Sequence, residues 1–138
     1  MIYESYSSDE TEKIAMKISK KAKIGDIFCL SGDLGVGKTV FTKGFAKGLN
    51  IKDHITSPTF TIVNEYYSNP PFYHFDVYRI SCEDEMFEIG FDEYIYGNGI
   101  CLIEWAELIK GLIPKEAKWI TISKDLEKGL DYRKIEVK

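Results

Sequence analysis

The segment Gly32-Asp33-Leu34-Gly35-Val36-Gly37-Lys38-Thr39 constrains this chain more than any other stretch. It satisfies G-x-x-x-x-G-K-[ST] at every fixed position. It follows Asp26-Ile27-Phe28-Cys29-Leu30, an apolar run of the kind a buried strand needs. It precedes a helical pattern in which Phe41, Phe45 and Leu49 recur at a spacing of four. Strand, glycine loop and helix in that order make a phosphate cradle. Glycines admit positive φ and close approach, so successive backbone N–H groups can converge on phosphate oxygens. The helix start adds its positive end. Lys38 supplies a point charge to the β- and γ-phosphates, and the Thr39 hydroxyl is placed to ligate Mg²⁺. The expected binding set is Gly32, Asp33, Gly35, Val36, Gly37, Lys38 and Thr39, with a nucleoside triphosphate as ligand.

The 138 residues are expected to form one domain, residues 1–138, large enough for a three-layer core. A content of 44% hydrophobic and 14% aromatic residues is that of a globular chain rather than a disordered or fibrous one. No apolar run approaches the roughly eighteen residues of a membrane span, and no basic-then-apolar leader begins at Met1, so a cytoplasmic address is expected. The net charge of −4 argues against holding nucleic acid through the chain's own field; any RNA would be carried by a partner. Cys29 and Cys101 lie in apolar runs, Cys82 sits beside Glu83 and Asp84, and no two form a C-x-x-C pair, so reduced thiols are expected. His54 and His74 are too few and too far apart for a zinc signature, which leaves Mg²⁺ as the expected metal.

Along the chain, Met1–Glu4 reads as a short edge strand. Ser7-x-x-Glu10 is a capping box, and Ile14, Ile18 and Ala22 mark an amphipathic helix to about Lys23. Residues 54–61, with Pro58 among hydroxyls, read as an irregular loop. Ile62–Tyr67 and Phe72–Tyr78 form an antiparallel pair through the turn Ser68-Asn69-Pro70-Pro71. Short helices follow at Glu83–Ile89 and Phe91–Tyr96. Ile100–Ile103 reads as a strand covered on both faces, and a brief helix runs from Trp105 to Ile109. Trp119–Ser123 and Asp131–Val137 form a hairpin across Glu127-Lys128-Gly129. The fold expected is α/β, a P-loop NTPase-like three-layer sandwich with a mixed central sheet and antiparallel edge strands.

A Mg·nucleotide site needs a carboxylate at the C-terminal end of a strand beside the loop. Glu104 ends the most apolar strand and is assigned to Mg²⁺, directly or through water. Asp76, after Phe72-Tyr73-His74-Phe75, is assigned to supporting the metal site or to orienting the attacking water; its alternative is an ion pair with Arg79. Within the hydroxyl loop Thr59 is the candidate sensor of Mg²⁺ and the γ-phosphate, ahead of Ser57 and Thr61. The catalytic set is therefore Lys38, Thr59, Asp76 and Glu104, with Thr39 and Glu104 at the metal. The chain holds only two arginines, Arg79 and Arg133. An arginine finger raises phosphoryl-transfer rates by about 10³ to 10⁵, so slow hydrolysis in isolation and acceleration by another protein are expected.

The loop, together with Ser57-Pro58-Thr59-Phe60-Thr61, His74-Phe75-Asp76-Val77-Tyr78-Arg79 and Ile103-Glu104-Trp105, resembles the TsaE (YjeE) family of small bacterial P-loop ATPases in content, order and spacing. The resemblance covers roughly Ser8 to Pro114. It implies an ATPase that uses ATP and Mg²⁺ and acts with TsaB and TsaD in forming N6-threonylcarbamoyladenosine on tRNA. In that reaction TsaD transfers the threonylcarbamoyl group, and hydrolysis by TsaE drives or resets the complex. It also implies that Glu104 is the Mg²⁺ carboxylate, that Asp76 is essential for hydrolysis, that Trp105 lies beside the site, and that Thr11 approaches the base or ribose. Past Pro114 the resemblance thins. Family members often continue with more strand and an arginine-bearing segment, for which Arg133 is the candidate equivalent. Two other classes stay open: a small-molecule kinase with the same loop, and a binding module gated by nucleotide.

Overall fold

Two apolar runs, Ile27–Ser31 and Ile100–Glu104, are buried along almost their whole length, so the strands they form must lie inside a sheet covered on both faces. The structure, a computed structural model, describes residues 1–32, 35–56, 58 and 62–138. The elements are β1 (Ile2–Ser5), α1 (Ser8–Lys20), β2 (Ile27–Ser31), α2 (Lys38–Gly48), β3 (Val63–Tyr66), β4 (Phe72–Asp76), α3 (Asp84–Glu88), α4 (Phe91–Ile95) and β5 (Ile100–Glu104). A 3-10 helix at Ala106–Leu112, β6 (Lys118–Ser123), a 3-10 turn at Leu126–Lys128 and β7 (Arg133–Val137) complete the chain.

The strands form one seven-stranded sheet in the order β1-β7-β6-β2-β5-β4-β3. Its centre is parallel, with β2 between β6 and β5, and β4 beyond β5. Both sides are antiparallel: β3 pairs with β4, β7 with β6, and β1 with β7. Seven mixed strands with helices are the α/β architecture expected from the sequence. The β6–β7 hairpin and the β3–β4 pair also form as expected. That β1 joins β7, across nearly the whole chain length, had no local signal.

Period-two alternation divides the core in two. Phe28, Leu30, Phe72 and Leu102 pack with α1 and α2, while Cys29, Phe75, Cys101 and Ile103 pack with α3, α4 and the 3-10 helix. On the first face Phe45 of α2 reaches Phe28 and Phe72, with ring centroids 5.0 and 5.7 Å away. Helix α2 also lies close on α1. A Cβ on Gly44 would stand 2.3 Å from the Glu12 carbonyl oxygen, and one on Gly48 2.6 Å from that of Met16. The two glycines let the backbones meet, so α2 is held both by its phenylalanines and by its missing side chains.

Helix α1 opens on half of the expected capping box. Glu10 N–H donates to Ser7 Oγ at 3.1 Å, but Glu10 Oε1 accepts at 2.7 Å from the N–H of Tyr6, the residue before the cap, rather than from that of Ser7. The helix ends at Lys20, short of the expected Lys23. Lys21 and Ala22 turn inward to bond the carbonyls of Ile18 and Ser19, and Asp26 Oδ2 accepts from Lys23 N–H at 2.8 Å, drawing the chain towards β2. Among the described residues no helix is long and apolar enough to cross a membrane.

Candidate functional site

The end of β2 and the start of α2 set the geometry of the loop between them. Gly32 leaves the strand at φ 149, and a Cβ there would meet the Ile122 carbonyl oxygen at 2.7 Å. Gly37 holds φ 101 immediately before α2 and offers no side-chain cap, the kind of helix start that suits an anion. Glycine is required at both positions, at the first by space as well as by conformation. Asp33 lies outside the described residues, as does Thr59 of the hydroxyl loop.

A cavity of about 370 Å³ opens over this helix start, lined by Gly35, Gly37, Lys38, Thr39, Asp76, Glu104 and Trp105. Three strands converge on it at their C-terminal ends. Asp76 and Glu104 are the last residues of β4 and β5 and are register partners, and Leu30 near the end of β2 is the partner of Glu104 on the other side. Parallel pairing therefore does what sequence distance cannot, placing two carboxylates 28 positions apart side by side.

Lys38 is 7% exposed, with Nζ donating to the Gly32 carbonyl oxygen at 2.8 Å and lying 3.7 Å from the centroid of the Trp105 ring. Trp105 was expected to begin a helix. It instead sits just outside the 3-10 helix in the left-handed region at φ 63, ψ 30. A bulky side chain there costs about 1–3 kcal/mol, a strain concentrated at functional positions. Its ring is backed by Tyr78, 4.7 Å away. Thr39 is exposed at the cavity wall.

The two carboxylates differ in environment. Glu104 is 5% exposed, and its Oε2 lies 2.6 Å from Nε2 of His74, itself 1% exposed. The tautomer assigned to this contact places the proton on Nε2, so that His74 donates and the Glu104 carboxylate accepts. Asp76 is half-buried, with Oδ1 accepting from Tyr78 N–H at 3.0 Å. Burial pushes the Asp76 carboxyl above its ordinary range and the Glu104 charge adds to this; the Tyr78 N–H bond and the positive potentials of His74 and Lys38 oppose it. Arg79 is exposed and makes no ion pair with Asp76 among the described residues, so that alternative for Asp76 is set aside.

Thr11 and Arg133 lie on the other side of the loop. With Val36 and Gly37 they line a smaller cavity of about 40 Å³, which adjoins the first because Gly37 borders both. Thr11 is buried and bonded to Ser5 Oγ at 2.7 Å. Arg133 Nε–H donates to the Val36 carbonyl oxygen at 2.7 Å, tying β7 to the loop. A larger depression of about 520 Å³ beside Lys43, Lys47, Lys52 and His54 has neither a glycine loop nor a carboxylate pair. His74 is the participant that sequence reasoning passed over. The available signal was alternation, which puts residues 74 and 76 on one face, with a polar ring inside an apolar strand.

Among the described residues no three His, Cys, Asp or Glu side chains cluster to hold a metal. A divalent cation here would depend on the Thr39 hydroxyl, Glu104 and oxygens of a bound phosphate. That all-oxygen donor set, incomplete without its ligand, suits Mg²⁺.

The family model described as "Threonylcarbamoyl adenosine biosynthesis protein TsaE" matches residues 5–135. The chain is 48% identical over 134 residues to the tRNA threonylcarbamoyladenosine biosynthesis protein TsaE of Bacillus subtilis (strain 168), covering 96% of this chain and 82% of that one. It is 40% identical over 119 residues to the protein of the same name from Treponema pallidum (strain Nichols), 86% of this chain and 87% of the relative. Among solved structures, the crystal structure of Bacillus subtilis YdiB superposes with a TM-score of 0.79 at 43% identity, over 98% of this chain and 82% of that chain.

Proposed function

We propose that this chain, which belongs to the TsaE family, binds and hydrolyses ATP in support of threonylcarbamoyladenosine formation on tRNA, acting with TsaB and TsaD in the cytoplasm. The observation that carries the proposal is the single cavity in which Lys38 and Thr39 at the start of α2 face Asp76, Glu104 and Trp105. A glycine loop alone binds phosphate; with two carboxylates opposite, the site has groups for the metal and for the water.

In this reading the loop and helix start hold the phosphates, and Lys38 leaves the Gly32 carbonyl for the β- and γ-phosphate oxygens. Thr39 and Glu104 hold Mg²⁺, which when bound neutralises phosphate charge. Asp76 orients the attacking water. The water oxygen bonds the γ-phosphorus as the bond to the β-γ bridging oxygen breaks, giving ADP and phosphate. Thr11 and Arg133, on the far side of Gly37, serve the base or ribose. Thr59 senses the γ-phosphate from the hydroxyl loop.

Hydrolysis by the chain alone is slow, because Lys38 is the only cation lining the cavity among the described residues. Arg133 lines the smaller cavity on the far side of Gly37 rather than this one, and Arg79 lies on the surface. A partner supplies the missing stabilisation. With a net charge of −4 the chain meets tRNA only through that partner.

The test is phosphate release by the chain alone and with cognate TsaB and TsaD, repeated for Lys38→Ala. Stimulation by the partners that disappears in the variant is expected. Absence of stimulation, or equal activity in Lys38→Ala, would overturn the proposal.

A further inference from the structure

We infer that His74 is a positioning residue for the metal site: its Nε2–H binds one oxygen of Glu104 and so presents the other to the cation. The inference rests on the Mg·nucleotide reading above. Glu104 lines the cavity, yet its Oε2 is taken by His74 at 2.6 Å. Its Oε1 makes no hydrogen bond among the described residues. The two oxygens of the carboxylate are therefore unequal before any ligand arrives. A carboxylate free to rotate would have to be oriented by the cation itself; this one is oriented by the protein.

The environment of the ring argues that this bond is the reason for a histidine. His74 is 1% exposed in an otherwise apolar stretch of β4, nearly parallel to the Phe72 ring at 6.3 Å and 2°. Its Nδ1 is buried with no hydrogen-bond partner among the described residues. An unpartnered buried nitrogen is unfavourable, and a phenylalanine or methionine would fill the same space without it. What only the imidazole contributes is one N–H aimed at Glu104. Strand register makes the aim possible: His74 stands two residues before Asp76, the partner of Glu104, so all three share one face.

A purely structural role, in which His74 merely makes the buried carboxylate tolerable, would alter stability and leave the metal requirement alone. The two roles separate in a binding experiment on the full chain, with ADP as probe and Mg²⁺ varied, read by calorimetry and by Trp105 fluorescence. Removing a hydrogen-bond partner of a metal ligand typically costs about 10- to 100-fold in metal affinity. His74→Phe is expected to raise the Mg²⁺ concentration needed for half-maximal ADP binding by about that factor, with ADP affinity in EDTA unchanged. His74→Gln, whose amide N–H can still donate, is expected to recover most of the loss. A folded His74→Phe protein with the wild-type Mg²⁺ requirement would overturn the inference. If His74→Phe does not fold, His74→Met and His74→Gln make the same comparison, and equal requirements in those two overturn it. A wild-type chain whose ADP binding ignores both Mg²⁺ and Lys38→Ala would remove the nucleotide reading itself, and the inference with it.

Discussion

On the face of the sheet covered by α3 and α4, β4 and β5 present Phe75, Cys101 and Ile103, all buried and all apolar. On the face covered by α1 and α2 the same two strands present Phe72, His74 and Asp76 beside Leu102 and Glu104. The first face is uniform from end to end. The second is apolar at its start and charged at its finish, where it runs under the beginning of α2. Polar groups are tolerated there because the cavity gives Asp76 access to solvent and His74 gives Glu104 a partner. The contrast shows how one strand pair can serve packing and chemistry at once: alternation assigns the faces, and position along the strand assigns the role.

That contrast is open to test, and in stability the largest effect is expected on the uniform face. Phe75→Ala should cost about 3–5 kcal/mol, because the ring is fully buried and lies in edge contact with Phe91 and Tyr94. Urea unfolding measures the loss, and the protein that remains folded should bind nucleotide normally. A nucleotide-binding defect in that folded fraction would show that the two faces are not separable.

A smaller cost, about 1–3 kcal/mol, is expected from Gly44→Ala on the other face, where the new Cβ would press on the Glu12 carbonyl oxygen. Here stability and nucleotide affinity should fall together, since α2 carries the phosphate loop. Loss of stability with unchanged affinity would mean that the helix can shift without disturbing its own first turn.

Asp76→Asn sits next in sequence to Phe75 and should behave in the opposite way. Hydrolysis should fall by about 100-fold or more, as for loss of a group that handles the reacting water, while ADP binding persists. The stability effect should be small and of the other sign. The folded carboxyl keeps its proton to higher pH than the unfolded one, so across that window the folded state binds more protons and wild-type stability declines as pH rises. The variant lacks this decline. Its advantage should grow from the ordinary carboxylate range, near about pH 3.9, up to the raised value and then level off. An unchanged pH profile would remove burial as the cause.

Least in energy but clearest in readout is thiol labelling. Burial pushes the Cys29 and Cys101 thiols up to about 12, whereas Cys82 is exposed. Alkylation near neutral pH should modify Cys82 alone in the folded chain and all three in urea, as mass spectrometry would show. Rapid labelling of Cys101 would contradict the sealed character of the uniform face.

Much of this architecture was legible in the residues. The apolar runs of β2 and β5, the Ser7 cap of α1 and the glycine loop each depend on neighbours within one element, where periodicity and backbone sterics act directly. Element ends were less legible. Lys21 to Lys23 leave α1 where Asp26 captures the Lys23 N–H, and Trp105 stays outside the 3-10 helix with its ring against Lys38. Neither is a local preference. The role of His74 was hidden for the same reason, since nothing near it in sequence tells that Glu104 is its partner.

The succession of strand, loop and helix at residues 26–49, and the carboxylates that end two later strands, are already written in the linear chain. Those features are set by side-chain type and period along the chain. That β4 lies beside β5 and β5 beside β2, so that Asp76, Glu104 and Lys38 share one cavity, emerges only when the chain is folded. So do the approach of α2 to α1 at Gly44 and Gly48 and the contact of the Arg133 guanidinium with the loop carbonyl of Val36. Strand order comes from long-range burial and pairing, whose energies depend on which elements meet rather than on what precedes or follows each residue.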